Sequence, residues 1–184
     1  MSNIKQYIHE HVKEIWKNEI PTDYENCHLL KEDSLKNALY HHLRTHLNDA
    51  FLTEHNLRIY TEFSDGPLKK TGKRADLAIV KVENPEEYAY IGDSVSEVIA
   101  LFELKYKASY TAIKSIQEDV QKIRDYIEKD KINCQYYLIG IREIQAEQNS
   151  YINKTDAWAK NKVTELTGSY DSTSNSVIFE VHEH

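Results

Sequence analysis

Residues Val98–Tyr106, with the sequence VIALFELKY, decide how this chain folds and where its chemistry can lie. The run is apolar except for Glu103 and Lys105, and an apolar run of this length predicts a buried strand. An earlier apolar run, Ala75–Val82, is interrupted by Asp76. Side chains two apart on a strand share a face, so Glu103 and Lys105 should project together towards whatever Asp76 faces. The two runs therefore predict a small metal site.

The hydrophobic periodicity around these two runs predicts the remaining elements. They are a helix from Ile4 to Trp16, a helix from Leu35 to about Phe51, a strand over Leu57–Phe63, a long amphipathic helix from Ser109 through Ile127, a strand over Tyr136–Ile141, a shorter helix from Thr155 to Leu166 that Gly168 ends, and a last strand over Val177–Val181. The expected order is α, α, β, β, β, α, β, α, β. This order predicts an α/β fold in which a central mixed sheet is flanked by helices.

Length and composition predict one domain over residues 1–184. A chain of 184 residues with 40% hydrophobic content can bury a core without disulfides. The two cysteines fit neither a redox pair nor a zinc ribbon, which favours a reducing cytoplasm. No apolar stretch approaches the roughly 18 residues that span a bilayer, so no membrane association is expected. A net charge of −7 argues against a protein that coats polyanions generally, although a local basic groove remains open.

The residue types at the predicted site suit phosphodiester hydrolysis. Mg²⁺ prefers oxygen ligands, usually one or two carboxylates completed by water and substrate phosphate, and Asp76 and Glu103 can supply the carboxylates. The metal supplies positive charge and an activated water. Lys105 can orient that water and offset the negative charge that develops on the phosphate oxygens.

The sequences 74–80, RADLAIV, and 101–106, LFELKY, resemble the motif of the PD-(D/E)XK nuclease superfamily, also called restriction endonuclease-like. The order of elements over about 33–142 also resembles the αβββαβ core of that superfamily, with the first helix and the last helix-strand pair as additions. The resemblance implies a Mg²⁺- or Mn²⁺-dependent endonuclease. Asp76, Glu103 and the Leu104 carbonyl would bind the metal, Lys105 would be the catalytic lysine, and Glu32 would be an additional acid. The proline that names the motif is absent, since Ala75 precedes Asp76.

Basic and polar residues near the motif are candidates for binding nucleic acid, most simply DNA. They are Lys69, Lys70, Lys73, Arg74, Lys107, Lys114 and Gln117. Glu62 and Gln121 are reserve candidates for the site. A short run of charges in a turn is commonly a solvated loop, and polar residues on the outer face of a helix are commonly solvated too.

Each candidate acid also has a simpler interpretation. Glu103 and Lys105 could be a solvent-facing pair on an edge strand, and Asp76 could pair with Arg74. Glu32 could simply favour a helix N-terminus. His42 and His46 have a spacing seen in zinc sites, but the sequence shows no third ligand, so a solvated helix face is expected there.

Three functions stay open at this point. The first is a nuclease acting as a homodimer or with partner subunits, because cutting two strands usually takes two sites. The second is a nuclease-like fold that has become a binding or regulatory module without activity. The third is a nucleic-acid binder that does not cleave, whose affinity would fall steeply with salt.

Overall fold

The computed structural model describes residues 3–107, 112–145 and 150–184, and the side chains of 107, 112, 113, 144 and 145 lie outside that description. The helices are α1 (Asn3–Lys17), α2 (Glu19–Glu25), α3 (Glu32–Leu47), α4 (Asp49–Glu54) and α5 (Ala112–Glu128). The strands are β1 (Leu57–Phe63), β2 (Ala75–Val82), β3 (Val95–Lys107), β4 (Gln135–Gln145), β5 (Val163–Asp171) and β6 (Ser176–Glu183). Short 3-10 helices cover Gly66–Lys70, Pro85–Glu87 and Ile91–Ser94.

The six strands form one mixed sheet in the order β1-β2-β3-β4-β5-β6. The strands β1, β2 and β3 are antiparallel neighbours, β3, β4 and β5 run parallel, and β6 is antiparallel to β5. The strand that carries Glu103 and Lys105 is therefore the third of six and has a neighbour on each side. An α/β fold with a mixed sheet and flanking helices is confirmed.

Two hydrophobic layers cover the two faces of the sheet. The first layer joins the helices α1 to α4 to sheet residues such as Leu77, Phe102 and Leu104. The second layer joins α5 and the segment before β5 to the opposite face, which carries Ala78 and Leu101. Because side chains alternate along a strand, Asp76 belongs to the face of Ala78, and Glu103 and Lys105 belong to the face of Leu101. The three site residues thus share the face that α5 covers.

Most of the expected elements are confirmed, with small differences at their ends. The first helix, the strands β1 to β4, the amphipathic helix and the last strand all form. The expected start of the amphipathic helix at Ser109 lies outside the described residues. The helix expected to reach Phe51 ends at Leu47, and α4 begins two residues later, with the Asn48 side chain accepting a hydrogen bond from the N–H of Phe51. The first helix ends at Lys17, and Pro21 lies in the first turn of the separate helix α2, where a proline loses no helical hydrogen bond.

The helix expected over Thr155–Leu166 is wrong. Residues Val163–Asp171 form β5, parallel to β4, and the segment before it consists of turns. The spacing of Val163 and Leu166 suited a helix, but the two residues lie in opposite hydrophobic layers of the sheet. Gly168 does not end a helix; it lies inside β5, where a Cβ atom would be 3.1 Å from the Phe179 ring and 3.2 Å from Ile141.

No helix among the described residues is both long and apolar enough to cross a membrane.

Candidate functional site

The site lies where β2 and β3 separate. Their backbone pairing ends at Leu77 and Phe102. Beyond that point Ala75 pairs only towards β1, and β3 continues beside β4. The fork leaves backbone groups of Leu104 facing a gap between the two strands.

Asp76 occupies this gap. Its Oδ2 accepts a hydrogen bond of 2.7 Å from the N–H of Leu104. Within a strand, the N–H and C=O of one residue point to the same side, so the Leu104 carbonyl also faces the gap. Asp76 therefore replaces the missing strand pairing and holds the backbone between Glu103 and Lys105 in place.

Glu103 is the most deeply buried acid of the site, with 1% of its surface exposed. Its Oε2 lies 2.6 Å from Nζ of Lys122, and its Oε1 accepts a long hydrogen bond of 3.4 Å from the Tyr126 hydroxyl. Burial raises the pKa of Glu103 to about 8, against the opposing effect of Lys122 and with a further increase from Asp76. Desolvation raises the pKa of Glu103 by more than the Lys122 ammonium lowers it. The ionised carboxylate is therefore not fully compensated by the positive charge of Lys122.

Lys105 lies among acids and one carbonyl. Its Nζ is 3.0 Å from Oδ2 of Asp119 and 3.6 Å from Oε2 of Glu32, and it donates to the Leu104 carbonyl at 3.0 Å. Burial lowers the pKa of Lys105, but Asp119 and Glu32 raise it by more, so the net change is upwards. Lys105 is therefore a fixed positive charge at neutral pH.

Asp119, at the middle of α5, is buried beside these residues. Burial raises its pKa, while Lys105 and Lys122 act in the opposite direction. Among the described side chains, the cluster contains the four acids Asp76, Glu103, Asp119 and Glu32 and the two ammonium groups of Lys105 and Lys122. Fully ionised, it carries two more negative than positive charges, which a divalent cation would balance.

The donor set fits a hard cation such as Mg²⁺. The oxygens of Asp76 and Glu103 and the Leu104 carbonyl are the ligand types that Mg²⁺ accepts, and waters normally complete its shell. The carboxylates of Asp76, Glu103 and Asp119 are not all within 4.8 Å of one another, so they do not form a compact three-acid cage. Within the described residues, the one group of three such side chains that does meet that distance is His11, Glu14 and His46, away from this face.

The structure contradicts the simpler interpretations of the sheet residues. Glu103 is buried on an interior strand, and its cation is Lys122 rather than Lys105. Arg74 pairs with Glu62 at 2.8 Å rather than with Asp76. Glu62 lies in β1 with a φ of 54° and is not paired with a residue of β2, although the register is the same on both sides of it. Its carboxylate also pairs with Lys36.

Glu32 has both of the roles that the sequence suggests for it, at a helix N-terminus and at the site. It stands in the first turn of α3, where a carboxylate is favourable, and its carboxylate also reaches Lys105. The structure thus brings all the predicted acids and the predicted lysine to one place.

The predicted basic groove is largely neutralised by acids. Lys69 pairs with Asp93 at 3.1 Å, and Lys73 pairs with Asp130 at 2.5 Å. Lys70 is exposed and, within the part of the chain that the structure describes, has no acidic partner. Lys114 and Gln117 are exposed on α5, and the Lys107 side chain lies outside the described residues.

Sequence reasoning missed Asp119, Lys122 and Tyr126 as parts of the site. A signal was present, because Asp119 and Tyr126 fall within the apolar stripe of α5 that Ile116 and Ile123 define. A buried carboxylate in such a stripe is rare unless it has a partner. Its partner is Lys105 on the strand below.

No protein-family model, curated protein or solved structure matches this chain.

Proposed function

We propose that this chain is a Mg²⁺- or Mn²⁺-dependent nuclease of the PD-(D/E)XK type that hydrolyses phosphodiester bonds, most simply in DNA. One observation carries the proposal: Asp76, Glu103 and Lys105 meet at a fork between two strands, around a buried carboxylate with too little positive charge nearby. A structural ion pair would not require a carboxylate, a backbone carbonyl and a lysine at the same fork.

Asp76 and Glu103 would hold the metal, with the Leu104 carbonyl as a further oxygen. The bound metal supplies Lewis acidity and lowers the pKa of a water. Asp76 accepts the N–H of Leu104 and so keeps the Leu104 carbonyl directed into the fork. Lys122 lies against Glu103 and helps that carboxylate to ionise.

Lys105 would act on the substrate. Its ammonium now contacts the Leu104 carbonyl and Asp119, both inside the fork. A phosphate oxygen at the fork would offer it a charged acceptor, and the lysine would offset the negative charge that grows there during hydrolysis. Asp119 keeps the lysine protonated and limits where its Nζ can go.

A cleavage assay tests the proposal. Plasmid, linear duplex, single-stranded and branched DNA, and RNA, are incubated with Mg²⁺ or Mn²⁺ and with wild type, Lys105→Ala or Asp76→Ala. We expect metal-dependent cleavage of at least one substrate and a loss of about 100-fold or more in each variant. Lys129→Ala is the matched control, because Lys129 is an exposed lysine that pairs with Asp125 outside the site. Cleavage that persists in both site variants, or no cleavage of any substrate, would contradict the proposal.

A second candidate is a nuclease-like fold that binds or regulates without cleaving. The specific observation in its favour is that Lys69, Lys73 and Arg74 are all paired with acids, on a chain with a net charge of −7. In that case the protein would neither bind metal with Asp76 and Glu103 nor cleave any substrate in the assay. A salt series in an electrophoretic shift assay separates a nucleic-acid binder from a protein that ignores nucleic acid.

A further inference from the structure

A second set of side chains that bind metals lies among the N-terminal helices, on the opposite side of the sheet from the fork. One ligand atom from each of His11, Glu14 and His46 lies within 4.8 Å of the other two. His11 and Glu14 come from α1, three residues apart, and His46 comes from the last turn of α3. The ring centroids of the two histidines are 5.6 Å apart.

Two polar atoms at this cluster are buried without a hydrogen bond among the described residues. They are Nδ1 of His11 and Oε2 of Glu19, the first residue of α2. Nδ1 of His11 lies 3.5 Å from Oε2 of Glu14. A buried polar atom without a partner costs free energy, and such atoms in a native structure call for an explanation. A cation bound at the cluster would give Nδ1 of His11 the partner that it lacks.

Glu19 also favours one tautomer of His46. Its Oε1 lies 2.9 Å from Nε2 of His46. When Nε2 donates its proton to this carboxylate, Nδ1 retains the lone pair that a metal requires. A carboxylate that accepts from the far nitrogen of a ligating histidine is the usual outer partner in zinc sites.

We propose that His11, Glu14 and His46 form a zinc site that joins α1 to α3, with Glu19 as the outer carboxylate. Two imidazoles and a carboxylate are typical zinc ligands, and the fourth position is open to water. The half-exposed Glu14 gives the ion a way in from solvent. Softer nitrogen ligands separate this site from the fork, whose donors are all oxygens.

The neighbouring histidine provides a matched control. His42 lies one turn before His46 on α3, but its Nε2 pairs with Asp23 at 2.8 Å and it is not part of the cluster. The pair His42 and His46, which the sequence suggested as a zinc spacing, therefore does not bind one ion together. Both of the ligands that join His46 in the proposed site, His11 and Glu14, come from α1.

Calorimetric titration of the metal-free, untagged full chain with Zn²⁺ tests the site, in a Cys27→Ser background because the Cys27 thiol is exposed. We expect one equivalent of bound zinc that weakens by at least about tenfold in His11→Gln and in Glu14→Gln and is unchanged in His42→Gln. Zinc should also raise the unfolding midpoint of the parent but not of His11→Gln, because ligation across helices stabilises only the folded chain.

Unfolding midpoints in the presence of a chelator check that each variant is folded before zinc is added. Glu14→Gln changes a half-exposed side chain, so it remains a test if a histidine variant fails to fold. No zinc binding, equal binding in the parent and in Glu14→Gln, or an equivalent lost in Asp76→Ala instead, would overturn the proposal.

Discussion

At the scale of single residues, Glu103 is the group whose state the structure determines most strongly. Burial of a carboxylate costs several kcal/mol unless it is paired or protonated. Lys122 and Tyr126 offset only part of that cost, because the pKa of Glu103 still rises to about 8. In the absence of metal, Glu103 is therefore largely protonated at neutral pH, and the site is held in an unfavourable state.

The raised pKa of Glu103 makes the stability of the metal-free protein depend on pH. The folded chain binds the Glu103 proton more tightly than the unfolded chain, so wild type loses stability as pH rises from about 4.5 to about 8. Glu103→Gln keeps the neutral form at every pH. We expect the free energy of unfolding of this variant, relative to that of wild type, to grow more favourable over this range by several kcal/mol, up to about 5.

Urea unfolding at pH 5 and pH 9, in the presence of a chelator, measures the difference. Glu118→Gln is the control, because Glu118 is an exposed glutamate on α5; this variant should follow the wild-type pH dependence. A Glu103→Gln curve parallel to wild type from pH 5 to pH 9 would show that Glu103 is ionised throughout.

In the proposed nuclease, Asp119 would act through Lys105 as a positioning residue. Its Oδ2 lies 3.0 Å from the lysine Nζ and fixes where the ammonium sits. We expect Asp119→Asn to lower kcat by about 10- to 100-fold with little change in KM, the size of effect typical of outer partners. The pH profile of kcat should also shift to lower pH, because the pKa of Lys105 loses a cause of its increase. A lower kcat that is accompanied by a lower free energy of unfolding, with no shift in the pH profile, would instead indicate a purely structural role.

At the scale of elements, a segment could be predicted where its hydrophobic pattern matches the structure that it forms. β1 alternates apolar and polar residues, and β2 and β3 are continuous apolar runs, so these strands could be predicted from the sequence. The segment Val163–Asp171 could not, because Thr164, Glu165 and Thr167 look solvent-facing but are buried in the sheet. Their environment is set by β4 and β6, which are distant in sequence.

Gly168 tests this part of the fold. A Cβ atom there would be 3.1 Å from the Phe179 ring and 3.2 Å from Ile141, whereas at Gly140 the nearest atom is 3.8 Å away. We expect Gly168→Ala to lower the free energy of unfolding by about 1–3 kcal/mol, the cost of overpacking. Gly140→Ala should be neutral or stabilising, since alanine restricts the unfolded chain more than glycine does. Thermal and urea unfolding measure both, and a stabilised Gly168→Ala would contradict the packing of β5 against β6.

The helix α5 shows why the site was only partly predictable. The apolar stripe of α5 predicts the helix, and its polar residues are typical of a solvated face. Asp119, however, turns towards the sheet, and only the position of Lys105 beneath it explains a buried carboxylate at that place. Contacts between a helix and a strand depend on packing angle and register, which a single sequence does not contain.

At the scale of the whole molecule, the two proposed metal sites lie on opposite faces of the sheet. One face, under α5, gathers the oxygen donors of the fork. The other face packs against α1 to α4, whose histidines and acids form the proposed zinc site. The two sites differ in ligand type, so Mg²⁺ or Mn²⁺ and Zn²⁺ should be selected by different parts of the chain.

The proposed nuclease requires Asp76 and Glu103 to bind one divalent ion at the fork. An anomalous difference map from crystals grown with Mn²⁺ tests it most directly. We predict a peak within ligand distance of the carboxylates of Asp76 and Glu103 that is absent from crystals of Asp76→Ala. A map with no peak at the fork, in crystals where the two carboxylates are accessible and Mn²⁺ is in excess, would contradict the account.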